Sequence, residues 1–152
     1  MNTLKVGDQV PDFTVPDQDG NTISASDYKG KKWVVFFYPR ANTPGCTAEA
    51  CNLRDHYAEL QDQGYSLLGV SADTQKKQSN FRNKYDFPFP LLADEKREVI
   101  EAFGVWGPKK FMGREFDGIH RKTFIIDEGG KVSRVIDKVK TKDHAAQILE
   151  EA

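Results

Sequence analysis

Cysteine is scarce in this chain, with two among 152 residues, at positions 46 and 51. So few thiols exclude a scaffold stapled by disulfides, and in a reducing compartment such a pair points to a transient, working bond rather than a structural one. There is no excess of either charge. The 22 basic and 23 acidic residues give a net charge of -1 without blocks of one sign, so neither a nucleic acid nor an anionic membrane surface is an expected partner. Long apolar runs are missing too: the longest, Trp33 to Tyr38, is far short of the ~20 residues that a membrane helix needs. The opening stretch MNTLKVGDQVPDF has neither the charged start nor the apolar core of a secretory signal, which makes the cytoplasm the expected compartment. Repeats and low-complexity segments are absent, and the glycines and prolines are scattered as turn punctuation. With 38% hydrophobic and 30% charged residues, the chain reads as one folded domain over residues 1–152.

The pattern along the chain is that of an α/β protein with a mixed central sheet flanked by helices. VPDFTVPDQDGNTISASD reads as two short extended pieces around the turn DQDG, an accessory N-terminal hairpin. WVVFFY is continuously apolar, as expected of a strand covered on both faces. Thr43 as N-cap, Pro44 in the first turn and apolar Leu53, Tyr57 and Leu60 predict one helix that ends by Gly64. YSLLGVSAD follows as a second buried strand, completing a right-handed parallel crossover. Further helices are predicted over Thr74 to Tyr85 and Asp94 to Phe103. KTFIID and KVSRVID around EGG predict an antiparallel hairpin, and Thr141 or Asp143 can cap a last helix with Ile148 and Leu149 turned inward.

Both cysteines fall on the first of these helices. Cys46 lies in its first turn, where backbone N–H groups have no partner inside the helix, and beyond the carboxyl end of a central strand, where open α/β sheets place ligands. An inert core thiol is the plainer alternative, but this position suits an activated one. A free thiol titrates near 8.5, and bringing one to about 6 takes roughly 3.4 kcal/mol at about 1.36 kcal/mol per unit. A helix terminus supplies roughly 0.3 to 1 kcal/mol, and about 2 at best. A cation must therefore stand against the sulfur. Arg54, eight residues along the helix, is too far away at about 1.5 Å per residue; spacing alone does not choose between Arg40 and Arg121.

The separation of the thiols carries its own message. Five residues apart on an intact helix, the two Cα atoms are roughly 8.6 Å apart, beyond the ~7 Å that a disulfide tolerates. An internal bond forms only when the first turns unwind, so one sulfur reacts with something else first. A thiolate that attacks a hydroperoxide becomes a sulfenic acid, which a second thiol condenses to a disulfide, and a dithiol then reduces that bond. In this scheme Cys46 attacks and Cys51 resolves. Two other chemistries stay open: zinc held by Cys46, Cys51 and His56, which lacks a fourth ligand, and simple disulfide exchange, which favours two residues between the cysteines rather than four. A non-catalytic redox switch is a further alternative. His56, His120 and His144 show no shared pattern and read as ordinary surface or core residues.

The segment FYPRANTPGCTAEACNLRD resembles the active-site segment of the peroxiredoxins, in particular the bacterioferritin comigratory protein or peroxiredoxin Q branch. The family pattern P-x-x-x-T-x-x-C falls on Pro39, Thr43 and Cys46, and GDQVPDFTVPDQDG, LLGVSAD, FPFPLLADE, FGVWGPKKFMG and GIHRKTFIID are similar to that branch as well. The resemblance implies a thioredoxin-like fold with an N-terminal hairpin, and a thiol peroxidase that reduces hydrogen peroxide and organic hydroperoxides. It implies thioredoxin or glutaredoxin as reductant, a monomer, and neither cofactor nor metal. It also selects the cation: the family arginine falls on Arg121, which would hold the Cys46 thiolate and polarise the peroxide. Pro39 would shield the pocket, Thr43 would hydrogen-bond to the attacked oxygens, and Glu49 would orient the arginine. Cys51 falls on the resolving position found in some members of the branch. Arg40 stands where a lysine is common. Trp106 and Phe111 are candidates for an apolar rim, with simple packing as the plainer reading.

Overall fold

The structure, a computed structural model, describes residues 1–150. Its centre is a mixed sheet of five strands in the order β5, β4, β3, β8, β9, where β3 is Lys32–Phe37, β4 is Tyr65–Ser71, β5 is Leu91–Ala93, β8 is Thr123–Ile126 and β9 is Val132–Ile136. Strands β3, β4 and β5 pair in parallel, while β8 pairs antiparallel with both of its neighbours, β3 and β9. The apolar run makes β3 the middle strand. Trp33, Val35 and Phe37 belong to the core on one face of the sheet, and Val34, Phe36 and Tyr38 to the core on the other. That two-sided burial is why the run does not alternate with polar residues.

One face is covered by α4 (Glu98–Ala102) and by the N-terminal segment, through Val99, Ile100, Phe103, Val10 and Phe13. The other face carries α1 (Pro44–Asp55), α2 (Tyr57–Asp62), α3 (Gln75–Tyr85) and α5 (His144–Leu149), which contribute Ala50, Leu53, Leu60, Phe81 and Ile148. A small N-terminal hairpin, β1 (Thr14–Pro16) with β2 (Thr22–Ser24), lies at the β5 edge. There an isolated bridge joins Asp17 to Leu92, and the Gln18 side chain accepts from the Leu91 N–H. The free edge that β5 would present is thus partly used.

Several expectations need correction. The helix from Thr43 to Gly64 is two helices: His56, with φ -112 and ψ 17, closes α1 and opens α2, and Leu60 still reaches the core. The helix expected from Asp94 starts only at Glu98. The Asp94 carboxylate instead accepts from the N–H groups of Glu98 and Ile100, at 2.9 and 2.8 Å, while Arg97 takes a left-handed conformation before the helix. Two features had no reading in the sequence, namely the short strand β5 and an exposed ribbon of β6 (Trp106–Phe111) and β7 (Arg114–Ile119). The ribbon turns at Met112 and Gly113, both with positive φ.

Two aspects of this topology position the site. The crossover from β3 leads directly into α1 at the carboxyl end of the strand. Because β8 runs antiparallel to β3, with Phe36 opposite Thr123 and the Phe37 N–H donating to Lys122 O at 2.9 Å, the start of β8 comes to that same end. Residues some 75 positions apart thereby meet.

Candidate active site

The loop between β3 and α1 is held by side chains from the neighbouring crossover. Asp73 Oδ2 accepts from the Ala41 N–H at 2.6 Å and from Ser71 Oγ at 2.7 Å, and the Tyr85 hydroxyl donates to Asn42 Oδ1 at 3.3 Å, Asn42 itself having φ 63. Thr43 has the extended backbone of an N-cap and its carbonyl accepts from Thr47 N–H, so the expected helix start is present. Its hydroxyl, however, caps no helical N–H; it donates to Arg40 O at 2.9 Å. Pro39 is half-buried beside the buried Tyr38, whose hydroxyl donates to Gln78 Oε1 at 2.5 Å.

Cys46 sits in the first turn of α1 and is buried. Arg121 Nη2 donates to its Sγ at 3.2 Å, and Arg121 Nη1 donates to Glu49 Oε1 at 2.6 Å. The guanidinium thus bridges two residues one helical turn apart, Cys46 and Glu49, on the same face of α1. Gly45 makes this possible: a β-carbon there would lie 3.2 Å from Arg121 Nη2. Glu49 is fully buried, and burial pushes its carboxyl up to about 7 against the opposing pull of Arg121. His144 Nε2 lies 3.5 Å from the second carboxylate oxygen, Oε2. Lys109 of β6 is close enough to feel both Arg121 and Cys46; burial first, then the arginine, lowers its ammonium from the usual range, and its Nζ donates to Ile119 O at 2.8 Å.

Cys51 lies on α1 as well, half-buried, and both cysteines are free thiols. Burial raises the Cys51 thiol above its ordinary value, with Arg54 opposing and Asp55 assisting. Its neighbour Asn52 ties α1 to α5: Oδ1 accepts from the Ala145 N–H at 2.8 Å, and Nδ2 donates to Lys142 O at 3.0 Å. Arg54 points elsewhere, donating to Tyr85 O at 2.8 Å and pairing with Asp55. Arg40 is exposed. His56 pairs with Glu59, and among the described residues no three His, Cys, Asp or Glu side chains gather as a metal site would require.

The structure therefore brings together Cys46, Glu49 and Arg121, with Pro39, Thr43 and Cys51 on the adjoining loop and helix. Trp106 is half-buried under Arg97, whose guanidinium stacks 4.2 Å from the ring centroid, and Phe111 is 68% exposed on the ribbon. His144, an ordinary surface or core residue by its sequence context, is fully buried and faces Glu49. No spacing links it to Cys46; only the packing of α5 against α1 does. Among the described residues, no helix is long and apolar enough to cross a membrane.

A buried cysteine in the first turn of a helix packed against a mixed sheet, with an arginine on the sulfur, is the arrangement of a thiol-based redox protein. The AhpC/TSA family matches residues 6–135, and the chain belongs to that family. It is a peroxiredoxin of the Bcp kind, a thiol-dependent peroxidase. The chain is 49% identical to Peroxiredoxin Bcp of Escherichia coli K12, over 98% of this chain and 96% of that one. It is 43% identical to Peroxiredoxin Bcp of Bacillus subtilis, over 97% and 94%. Among solved structures, Xanthomonas campestris Peroxiredoxin Q superposes with a TM-score of 0.88 at 32% identity, covering 97% of this chain and 94% of that one. A cysteine-to-serine mutant of Xylella fastidiosa PrxQ gives 0.92 at 27% identity, covering 99% and 96%. These neighbours bear out the thioredoxin-like fold expected from the sequence.

Proposed function

We propose that Cys46 is the peroxidatic nucleophile, Cys51 the resolving thiol and Arg121 the group that holds both sulfur and peroxide. The observation that carries this reading is the 3.2 Å contact between Arg121 Nη2 and Cys46 Sγ in the first turn of α1. A fixed positive charge there stabilises the thiolate in the ground state and the charge that spreads over two oxygens as the bond breaks. The sulfur attacks the terminal oxygen, an S–O bond forms, the O–O bond breaks, and the alkoxide departs and takes up a proton from solvent. Thr43, whose hydroxyl can turn from Arg40 O toward the substrate, is a donor for the attacked oxygens, and Pro39 keeps bulk water from the sulfur.

Cys51–SH then condenses with Cys46–SOH to give a disulfide and water. Both cysteines lie within α1, so this step requires α1 to unwind. The exposed disulfide is reduced by a dithiol of the thioredoxin type, or by glutaredoxin, through a mixed disulfide. Hydrogen peroxide and organic hydroperoxides are the substrates, consistent with the alkyl peroxide reduction named for the Xanthomonas campestris bacterioferritin comigratory protein. The disulfide is internal, so a cytoplasmic monomer suffices, over a single domain.

Intact-mass measurement after a single equivalent of peroxide tests the assignment. The natural chain should lose two hydrogens and Cys51→Ser should gain one oxygen. Catalytic peroxide removal by Cys46→Ser would show that the nucleophile has been misassigned.

A further inference from the structure

His144, the first residue of α5, is wholly buried, with neighbours on α1, on β8 and on its own helix. Its Nδ1 lies 2.8 Å from Gln147 Oε1. The orientation of the Gln147 amide is fixed by backbone partners, since Oε1 accepts from the Lys140 N–H and Nε2 donates to Lys138 O. Oε1 is thus an acceptor, and His144 Nδ1 must carry a hydrogen. A neutral imidazole then presents Nε2 as an acceptor. Nε2 faces Thr123 Oγ1 at 2.7 Å and Glu49 Oε2 at 3.5 Å. The threonine hydroxyl either donates or accepts, so it satisfies Nε2 in both protonation states. Glu49 Oε2 has no such freedom: it is buried, has no hydrogen-bond partner among the described residues, and looks at an acceptor nitrogen. One proton held by the pair, on Glu49 Oε2 or on His144 Nε2, removes that conflict.

We propose that Glu49 and His144 share one proton while Cys46 is an anion, which makes His144 a positioning residue that fixes Glu49 and, through Oε1, the Arg121 guanidinium against the sulfur. The inference rests on the reading of Cys46 as a peroxidatic thiolate. Two full anions would share the one cation that touches both of them, since Lys109 Nζ is turned to Ile119 O; a proton on the pair leaves Arg121 matched to the Cys46 thiolate. When the thiolate becomes a neutral sulfenic acid, Arg121 faces Glu49 alone, and the pair gives its proton to solvent while the departing alkoxide takes one from solvent. The charged groups around the pair agree on where the proton resides. Arg121 from the loop before β8 and Arg134 from β9 both disfavour a cationic His144, while Arg121, the cation in contact with Glu49, divides its two ends between that carboxylate and the Cys46 sulfur. Burial acts in the same direction, holding His144 down to about 4 and Glu49 up to about 7.

Carboxyl carbon NMR of Glu49 in the reduced natural protein and in Cys46→Ser, at neutral pH, tests the proton itself. The reduced protein should show a protonated carboxyl and Cys46→Ser an ionised one; the same ionisation in both overturns the proposal. The positioning role is read from the rate at which peroxide oxidises Cys46 in two variants. His144→Gln keeps a polar group aimed at Glu49 and Thr123, whereas His144→Asn keeps the contact with Gln147. Asn should slow oxidation by roughly tenfold, the lower end of what an outer hydrogen-bonding partner contributes at metal centres, and Gln should restore it. Restoration by Asn and not by Gln would mean that His144 merely secures α5, and the proposal falls. If the natural chain does not consume peroxide through Cys46, the peroxidase reading falls with it; normal consumption with an unchanged Glu49 overturns the shared proton alone.

Discussion

Gly45 illustrates how a single hydrogen atom can be worth more than a methyl group. Alanine is the better helix former, by up to about 1 kcal/mol in a helix interior, so Gly45→Ala should leave the protein as stable or slightly more so. The new β-carbon would stand 3.2 Å from Arg121 Nη2, and the guanidinium must shift by a few tenths of an ångström. Stopped-flow measurement should show peroxide oxidation of Cys46 slowed by about ten- to a hundredfold, the scale on which small misplacements act, with the melting temperature unchanged or raised.

The buried pair makes a second residue-scale prediction. Folded Glu49 keeps its proton up to about 7 rather than 4.5, so between these values the folded state binds more protons and stability falls as pH rises. Folded His144 takes a proton only near 4 rather than 6.5, so there the unfolded state binds more and stability rises with pH. Each arm is on the order of 3 kcal/mol, and the two oppose each other. Urea unfolding of the natural protein should be nearly flat in pH across the shared window. Glu49→Gln should gain stability from about pH 4 to 6.5, and His144→Gln should lose it from about 4.5 to 7. A steep slope in the natural chain would contradict opposed titration. The difference between Glu49 and His144 also marks what the sequence reveals of the site. Glu49 shares a helix face with Cys46, so helical spacing alone suggests it; His144 reaches the same carboxyl from almost a hundred residues away.

At the scale of elements, the chemistry depends on how firmly α1 is held. Asn52 contributes two hydrogen bonds, one to α5 and one to the loop just before it, each worth about 0.5–1.5 kcal/mol net. Asn52→Ala should therefore ease unwinding and speed condensation of the Cys46 sulfenic acid with Cys51 severalfold, measurable as disulfide formation after rapid mixing. An unchanged rate would place the barrier elsewhere than in the anchoring of α1. Elements with strong local signals were legible beforehand: β3 by its apolar run, α1 by Thr43 and Pro44, the β8 and β9 hairpin by its glycines. Those that were not have weaker local physics. β5 is three residues long and is made a strand by β4 and Gln18 rather than by its own pattern. The β6 and β7 ribbon turns on Met112 and Gly113 instead of an Asn-Gly pair, and most of its residues are exposed, so no core-facing alternation announces it.

For the molecule as a whole, β3 and β4 separate the two cores, and Gly69 of β4 is pressed against the one that holds Phe36 and Leu91. A β-carbon there would be 2.8 Å from both Leu91 Cδ2 and Phe36 Cζ. Gly69→Ala should destabilise the protein by about 1–3 kcal/mol through overpacking, read as a lower urea midpoint, with the reactivity of Cys46 toward peroxide retained at low temperature. Packing of this kind is invisible in the sequence, where Gly69 reads simply as a weak point in a strand.

The interruption at His56 gives the molecule a stopping place. Because α1 and α2 share no continuous hydrogen-bond ladder, melting that starts near Cys46 has a terminus, and Leu60 continues to seal the sheet beneath it. Amide exchange in the oxidised protein should accordingly quicken along 44–55 yet stay slow along 57–62, so that each catalytic cycle loosens one segment while the rest of the molecule remains watertight.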